Sequence, residues 1–335
     1  MRGAYLLGVV AGLALLGCTP EPSASPERDA TTSPSPTVSA RAAPSQTPTE
    51  TPSEEPAAPE PSQRPVRFNA DRAMTDVRHL AGRIGPRLAT APAYDRAARW
   101  VAARFRSLGY DVRRPSFPVP AGDSWGVPVE AGLSSNVVAT PPGFNPSAPH
   151  RLVGAHLDTV AVAPGAEDNA SGVSVLLELA RLAARDEPAV PTVFVAFGAE
   201  EPRGPGDALH HFGSTRFVEG MPRAQRRALV AMASLDRVGV GATVPVCTGP
   251  LSVDRVQHAV LRTARRIGVP ASACENTASD HWSFEKAGHA VVRFGSTPYA
   301  GYHSAGDLPR VVAPGQLGRT GRLAWAWLRT GTPAR

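Results

Sequence analysis

Residues 192–201 read TVFVAFGAEE. The first six form an apolar, β-branched run without alternating polar positions, the pattern of a strand buried on both faces. Such strands occur where helices cover both sides of a largely parallel sheet. The run ends at Gly198, and Glu200 and Glu201 follow at once. Two carboxylates at the end of a buried strand, with no lysine nearby, repel each other, and a cation relieves that repulsion. Adjacent residues on extended backbone point apart. One glutamate can then hold a metal while its neighbour takes a proton from water. Taken alone, the pair reads equally well as an exposed acidic turn.

Outward from that strand, helix and strand signals alternate, which predicts a layered α/β domain. Residues 92–108 carry Tyr94, Ala97, Ala98, Val101, Phe105 and Leu108 at helical spacing, with Gly109 just beyond. Residues 110–112, 135–140 and 151–154 read as strands, and 170–185 as a helix with Val173, Leu176, Leu177, Ala180 and Ala183 on one face. Residues 230–235 and 289–294 read as further strands. Residues 253–267 read as a helix with Ser252 as N-cap and Gly268 after it, and 315–329 as a last helix. The Gly- and Pro-rich stretches 114–134 and 202–213 read as loops over a site.

The chain has 335 residues and a formal charge of +6, with Lys286 its only lysine. No Arg cluster is interleaved with aromatic residues, so nothing predicts nucleic-acid binding. Residues 1–18, MRGAYLLGVVAGLALLGC, hold an apolar run too short to span a membrane comfortably and shaped like an export signal. Its end, Leu15-Leu16-Gly17-Cys18, looks like a bacterial lipobox. This predicts a lipid on Cys18 and a lipoprotein on the outer face of the cell membrane, or released from it. Residues 19–65 are nearly all Pro, Ser, Thr, Ala and Glu, a disordered tether. It could hold a domain on the order of 100 Å from the membrane. Residues 66–335 are then one catalytic domain. Once exported, Cys247 and Cys274 form either a disulfide or two buried thiols.

Four more segments place acids or histidines where predicted strands end. In Gly154-Ala155-His156-Leu157-Asp158, positions i and i+2 share a face, so Asp158 can accept the second N–H of His156 and fix which nitrogen faces a metal. Asp168 opens a helix in Glu167-Asp168-Asn169-Ala170-Ser171-Gly172, where an N-cap is the simpler role. The sequon Asn169-Ala170-Ser171 is discounted because its position reads as buried. Asp236 ends Ser234-Leu235-Asp236, and His303 stands in Tyr302-His303-Ser304 ahead of Asp307. Together these residues supply a His and a carboxylate for each of two metals, plus one shared carboxylate. That donor chemistry suits zinc. Two such ions about 3.5–4 Å apart polarise a carbonyl and generate the nucleophile.

The five segments, in this order, resemble the M28 family of zinc peptidases, which includes secreted bacterial leucine-type aminopeptidases. The likeness covers nearly all of 75–330. It includes residues 82–112, the strand Ser135-Asn136-Val137-Val138 and the twelve-residue step from His156 to Asp168. The related carboxypeptidases have a longer step and an inserted lid domain for which this chain has no room. The resemblance implies a single three-layer α/β/α domain with a mixed, mostly parallel sheet and two zinc ions at the strand ends. It implies that Asp168 bridges both ions, with His156 and Asp236 completing one site and Glu201 and His303 the other. Glu200 is then the general base, Tyr302 the hydrogen-bond donor to the oxyanion, and Asp158 the residue that orients His156. The implied partners are peptides with a free N-terminus.

Two departures from the family pattern stand out. Arg237 follows Asp236 where an apolar residue is usual, and could alter substrate preference or recruit an anion. The 202–213 loop is long; its His210 and His211 read as loop residues, the alternative being pocket residues or extra ligands. Asp280 could lie behind the ligands, and His281 reads as structural. No G-x-S-x-G, H-E-x-x-H, C-x-x-C or phosphate-cradling glycine loop is present. The rival readings are a single-zinc glutaminyl cyclase, a related exopeptidase acting on unusual peptides or conjugates, and a metal-free binding module on the same fold.

Overall fold

A computed structural model describes residues 66–252 and 254–331. The expected export signal, the lipobox at Cys18 and the tether lie outside the described residues. Among the described residues the strands are β1 (Asp111–Arg113), β2 (Ser116–Val119), β3 (Gly122–Asp123), β4 (Pro128–Val129), β5 (Gly132–Ser135), β6 (Val137–Thr140), β7 (His150–His156), β8 (Thr192–Phe197), β9 (Leu229–Asp236), β10 (Val244–Thr248), β11 (Ala271–Glu275) and β12 (Val291–Gly295). The α-helices are α1 (Ala70–Val77), α2 (Pro92–Ser107), α3 (Gly172–Ala183), α4 (Phe212–Glu219), α5 (Arg223–Ala228), α6 (Arg255–Ile267), α7 (His281–Lys286) and α8 (Pro314–Leu328).

Eight strands form one sheet in the order β1-β6-β8-β7-β9-β12-β10-β11. Its central four, β8, β7, β9 and β12, are parallel. The antiparallel pairs β1/β6, β6/β8 and β10/β12 lie outside them. The run TVFVAF is β8, the outer strand of that parallel core, paired with β7 on one side and β6 on the other. Phe194 and Ala196 face a cluster shared with Val101 and Phe105 of α2, Leu176 of α3, Val260 of α6 and Leu323 of α8. Val193, Val195 and Phe197 face the opposite cluster, with Val218 of α4 and Phe284 of α7. The period-2 geometry of a strand thus feeds two helical layers from one apolar run. Each fully buried Phe or Leu contributes roughly 1.5–3 kcal/mol. Truncating Phe197, which has no exposed surface and packs against Phe217 and Phe284, would cost about 3–5 kcal/mol.

The expected helices at 92–108 and 315–329 form within one residue at each end, and Gly109 and Gly268 adopt left-handed φ of 88° and 67° after α2 and α6. Ser252 does not cap α6. Asp254 holds the N-cap position with no side-chain bond, because the preceding loop is tied elsewhere: Gly249 N and Leu251 N donate to Glu285. The 114–134 stretch is not all loop, since β2 pairs with β5 and β3 with β4. Cys247 and Cys274 sit side by side on β10 and β11 and form a disulfide, with Cα atoms 4.4 Å apart. Among the described residues, no helix is long and apolar enough to cross a membrane.

Candidate active site

The chain leaves β7 through α3 to β8 on one side, then crosses to β9 on the other side of β7. A crevice opens beyond the carboxyl ends of strands at such a reversal. His156 ends β7, Glu200 and Glu201 follow β8, Asp236 ends β9, and His303 lies in the loop after β12. Asp168 enters from the irregular turn ahead of α3. None of the six is more than 7 % exposed.

Asp168 stands at the centre. Its Oδ1 is 3.1 Å from His156 Nε2 and its Oδ2 is 3.3 Å from His303 Nε2. Asp236 Oδ1 is 3.7 Å from His156 Nε2, and Glu201 Oε2 is 3.1 Å from His303 Nε2. Two groups of donor atoms, His156/Asp168/Asp236 and Asp168/Glu201/His303, each lie within 4.8 Å of one another, and His156, Glu200 and Glu201 form a third such group.

Backbone packing sets these positions. A Cβ on Gly172 would meet the Leu235 carbonyl at 2.3 Å, so only glycine lets the start of α3 touch the end of β9 and bring Asp168 beside Asp236. Asn169 spans the joint: its Nδ2 donates to Leu235 O, and its Oδ1 accepts from Gly172 N and Arg237 N. Asp307 accepts N–H bonds from Glu167 and Asp168 at 2.8 and 3.0 Å. Arg87, fully buried, donates to the carbonyls of Leu157, Leu80, Gly85, Pro164 and Gly165, which pins the segment between His156 and Asp168. Ala199, His211, Arg237 and His303 all hold positive φ, from 50° to 57°. Backbone strain of this kind concentrates where structure must aim side chains.

The electrostatics ask for cations. Burial, together with the Asp168 charge, pushes the Glu201 carboxyl up to about 8. Burial would raise Asp236 too, but the Arg293 guanidinium and His156 hold it well below the usual carboxylate range. Glu201 Oε1 and Asp236 Oδ1 are buried without a hydrogen-bond partner. Buried orphan carboxylate oxygens are costly unless something binds them. Imidazole and carboxylate donors in this grouping, with unspent oxygens, fit zinc.

The predicted site residues come together, with two corrections. Asp158 does not take the His156 N–H on its carboxylate. His156 Nδ1 points at the Asp158 backbone carbonyl, 3.2 Å away, while the nearest carboxylate oxygen is at 3.8 Å. That carboxylate instead accepts from Glu200 N and Glu201 N, both at 3.1 Å, because a fully buried turn must satisfy its amides. His211 ends the loop, just ahead of α4, but it is more than a loop residue because its side chain turns into the site. Backbone bonds from His211 N to Glu200 O and Phe212 N to Ala199 O close the neck of the long loop, and its buried imidazole faces Glu200. His210 is half-buried on the loop itself. Tyr302 stacks on His303 with ring centroids 3.8 Å apart. Asp280 is fully buried with both oxygens unpartnered, and burial and the Glu200 charge push it up to about 7. His281 lies 2.7 Å from the Asn276 carbonyl, a structural contact. Arg293, 3.1 Å from Asp236 Oδ2, is a site residue that sequence reasoning missed. Its signal was a lone charge inside the apolar strand VVRFG, since a buried charge needs a partner.

Fold and site together define a zinc-exopeptidase-like α/β protein, and comparison with known proteins agrees. Residues 136–328 match peptidase family M28, and the chain belongs to that family. An aminopeptidase of Bacillus subtilis is 32% identical over 147 residues, 42% of this chain and 31% of that protein. An uncharacterised protein of Escherichia coli is 35% identical over 136 residues, 38% of each chain. The matched stretch thus spans about a third of these curated relatives. Among solved structures, a zinc aminopeptidase from Bacillus subtilis superposes with a TM-score of 0.70 at 20% identity, covering 79% of this chain and 95% of that one. A glutaminyl cyclase of Porphyromonas gingivalis gives 0.66 at 23% identity, covering 78% and 98%. At these identities the two likenesses show the fold.

Proposed function

We propose that this protein is a zinc-dependent exopeptidase that removes the N-terminal residue from peptides, held outside the cytoplasm by a lipid on Cys18. The observation that carries the reading is the Asp168 carboxylate, whose two oxygens face two different imidazoles at 3.1 and 3.3 Å. His156, Asp168 and Asp236 would hold one zinc ion; Asp168, Glu201 and His303 would hold a second. Bound there, the ions would polarise the scissile carbonyl and acidify water. Glu200 turns Oε1 to His211 and leaves Oε2 3.9 Å from His156 Nε2, beside the donor set. It is the general base, taking a proton from the attacking water and passing it to the leaving amine. Tyr302, 39 % exposed over His303, donates its O–H to the developing oxyanion. Asp158 positions the base indirectly, through the two amides of the Glu200–Glu201 turn. Family membership and the aminopeptidase relative support this reading.

The deciding experiment is zinc content of the purified protein together with hydrolysis of aminoacyl p-nitroanilides, with and without chelator. About two zinc ions per chain and chelator-sensitive release support the proposal. One zinc, no hydrolysis and cyclisation of an N-terminal glutamine peptide would replace it with a cyclase.

A further inference from the structure

Arg237 continues the chain from Asp236 in left-handed backbone, φ 56°. That conformation costs a non-glycine residue roughly 1–2 kcal/mol. It is held from both sides: Arg237 N donates to Asn169 Oδ1 and its carbonyl accepts from Ser296 N, each at 3.3 Å. The guanidinium carbon lies 4.7 Å from the centroid of the Tyr302 ring, which itself stacks on His303. Nε is 3.8 Å from Asp236 Oδ1, too long for a hydrogen bond. A guanidinium has five N–H donors. Among the described residues nothing accepts a hydrogen bond from this one, although its side chain is only 13 % exposed.

Arg237 is not needed to neutralise Asp236. Arg293 already does that from inside the sheet, fully buried, 3.1 Å from Asp236 Oδ2 and anchored on Asn276 Oδ1 and the Ala278 carbonyl. The second arginine therefore holds unspent donors at the rim of the site, one aromatic ring away from a donor imidazole. Trp125, 55 % exposed, meets the His303 ring at 4.4 Å and contacts Tyr302 as well.

We infer that Arg237 is a specificity-determining residue, and that the preferred substrates carry a carboxylate next to the scissile amide. The inference rests on the exopeptidase reading. The planar fork of an arginine takes a carboxylate in two parallel hydrogen bonds, which satisfies donors that the fold leaves open. Two sources present that group within reach of the reacting bond: the side chain of an N-terminal Asp or Glu, and the α-carboxylate of a dipeptide.

The test compares kcat/KM of the full-length zinc-loaded protein and its Arg237→Met and Arg237→Lys variants. One arm sets Glu- and Asp-p-nitroanilide against Leu-p-nitroanilide; the other sets Leu-Gly against Leu-Gly-amide. In the wild type, one arm favours the anionic substrate by roughly 10- to 100-fold, the range of a charge-assisted contact. That ratio falls to near one in Arg237→Met and is partly kept in Arg237→Lys. The arm that responds names the source of the carboxylate. No preference in either arm, or a preference that survives Arg237→Met, overturns the inference. Absence of all hydrolysis would instead sink the exopeptidase reading. Calorimetry with L-glutamate against L-glutamine, and with Leu-Gly against Leu-Gly-amide, then still decides the role of Arg237. Tighter binding of the anionic member of either pair that Arg237→Met abolishes upholds the carboxylate receptor, and equal binding within both pairs overturns it.

Discussion

His211 Nδ1 lies 3.0 Å from Oε1 of Glu200, so a buried imidazole stands against the proposed base. The imidazole reaches it from left-handed backbone, φ 57°, at the neck of the 202–210 excursion. His211→Leu should lower kcat about 10- to 100-fold and change KM little, because an untethered base loses alignment while substrate contacts remain. Asparagine tolerates left-handed φ and sets an amide nitrogen near the position of Nδ1. His211→Asn should therefore recover most of the loss. Steady-state kinetics in which the leucine variant matches wild type would remove His211 from the mechanism.

Glu200→Gln removes the proton acceptor while keeping size and the amide bonds to Asp158. Zinc content by mass spectrometry should be unchanged, while kcat falls by roughly 10²–10⁴. Loss of zinc in this variant would show Glu200 to be a ligand, as the grouping of His156, Glu200 and Glu201 also allows.

Asp168 faces both imidazoles, so under the proposed two-zinc arrangement a single substitution should empty both sites. Asp168→Asn is expected to retain well under one zinc per chain after gel filtration, where Asp236→Asn should retain one. Removing metal from the wild type with chelator should lower the melting temperature, since binding confined to the native state stabilises it by about 2.7 kcal/mol at a hundredfold excess over Kd. Equal zinc retention by the two variants would show that Asp168 is not shared.

The parts of this molecule that sequence discloses are those with one-dimensional signals. TVFVAF marks a strand covered on both faces, and acids at the ends of such strands mark the site. β10 and β11 were hidden for physical reasons: VPVCT is interrupted by Pro245, and ASACE is a largely exposed edge strand without alternation. His211 was hidden because its place is made by pairing of residues 199–200 with 211–212 across the loop, which no local pattern records. The Asp158 carboxylate was legible as a site residue but not in its partner, since i and i+2 share a face whether the contact is to a ring or to the next turn's amides.

Asp76 provides a stability prediction away from the chemistry. It sits in α1, 3 % exposed, with Arg104 at 3.3 Å. Burial is the largest influence on it; the Arg104 charge opposes that, Glu178 adds to it, and the net effect pushes the carboxyl up to about 6. An unfolded aspartate titrates near 3.9. The native state therefore holds this proton more tightly than the unfolded state. The stability it contributes is fully present below about pH 4 and is lost as pH rises through 6. The loss levels off above that, at about 3 kcal/mol for a shift near two units. Asp76→Asn keeps the shape and removes the titration. Relative to wild type, its denaturation midpoint should rise between pH 4.5 and 7.5, with no further gain at pH 8.5. A gap that stays constant with pH, or moves in favour of wild type at high pH, would show that Arg104 fully compensates the buried charge.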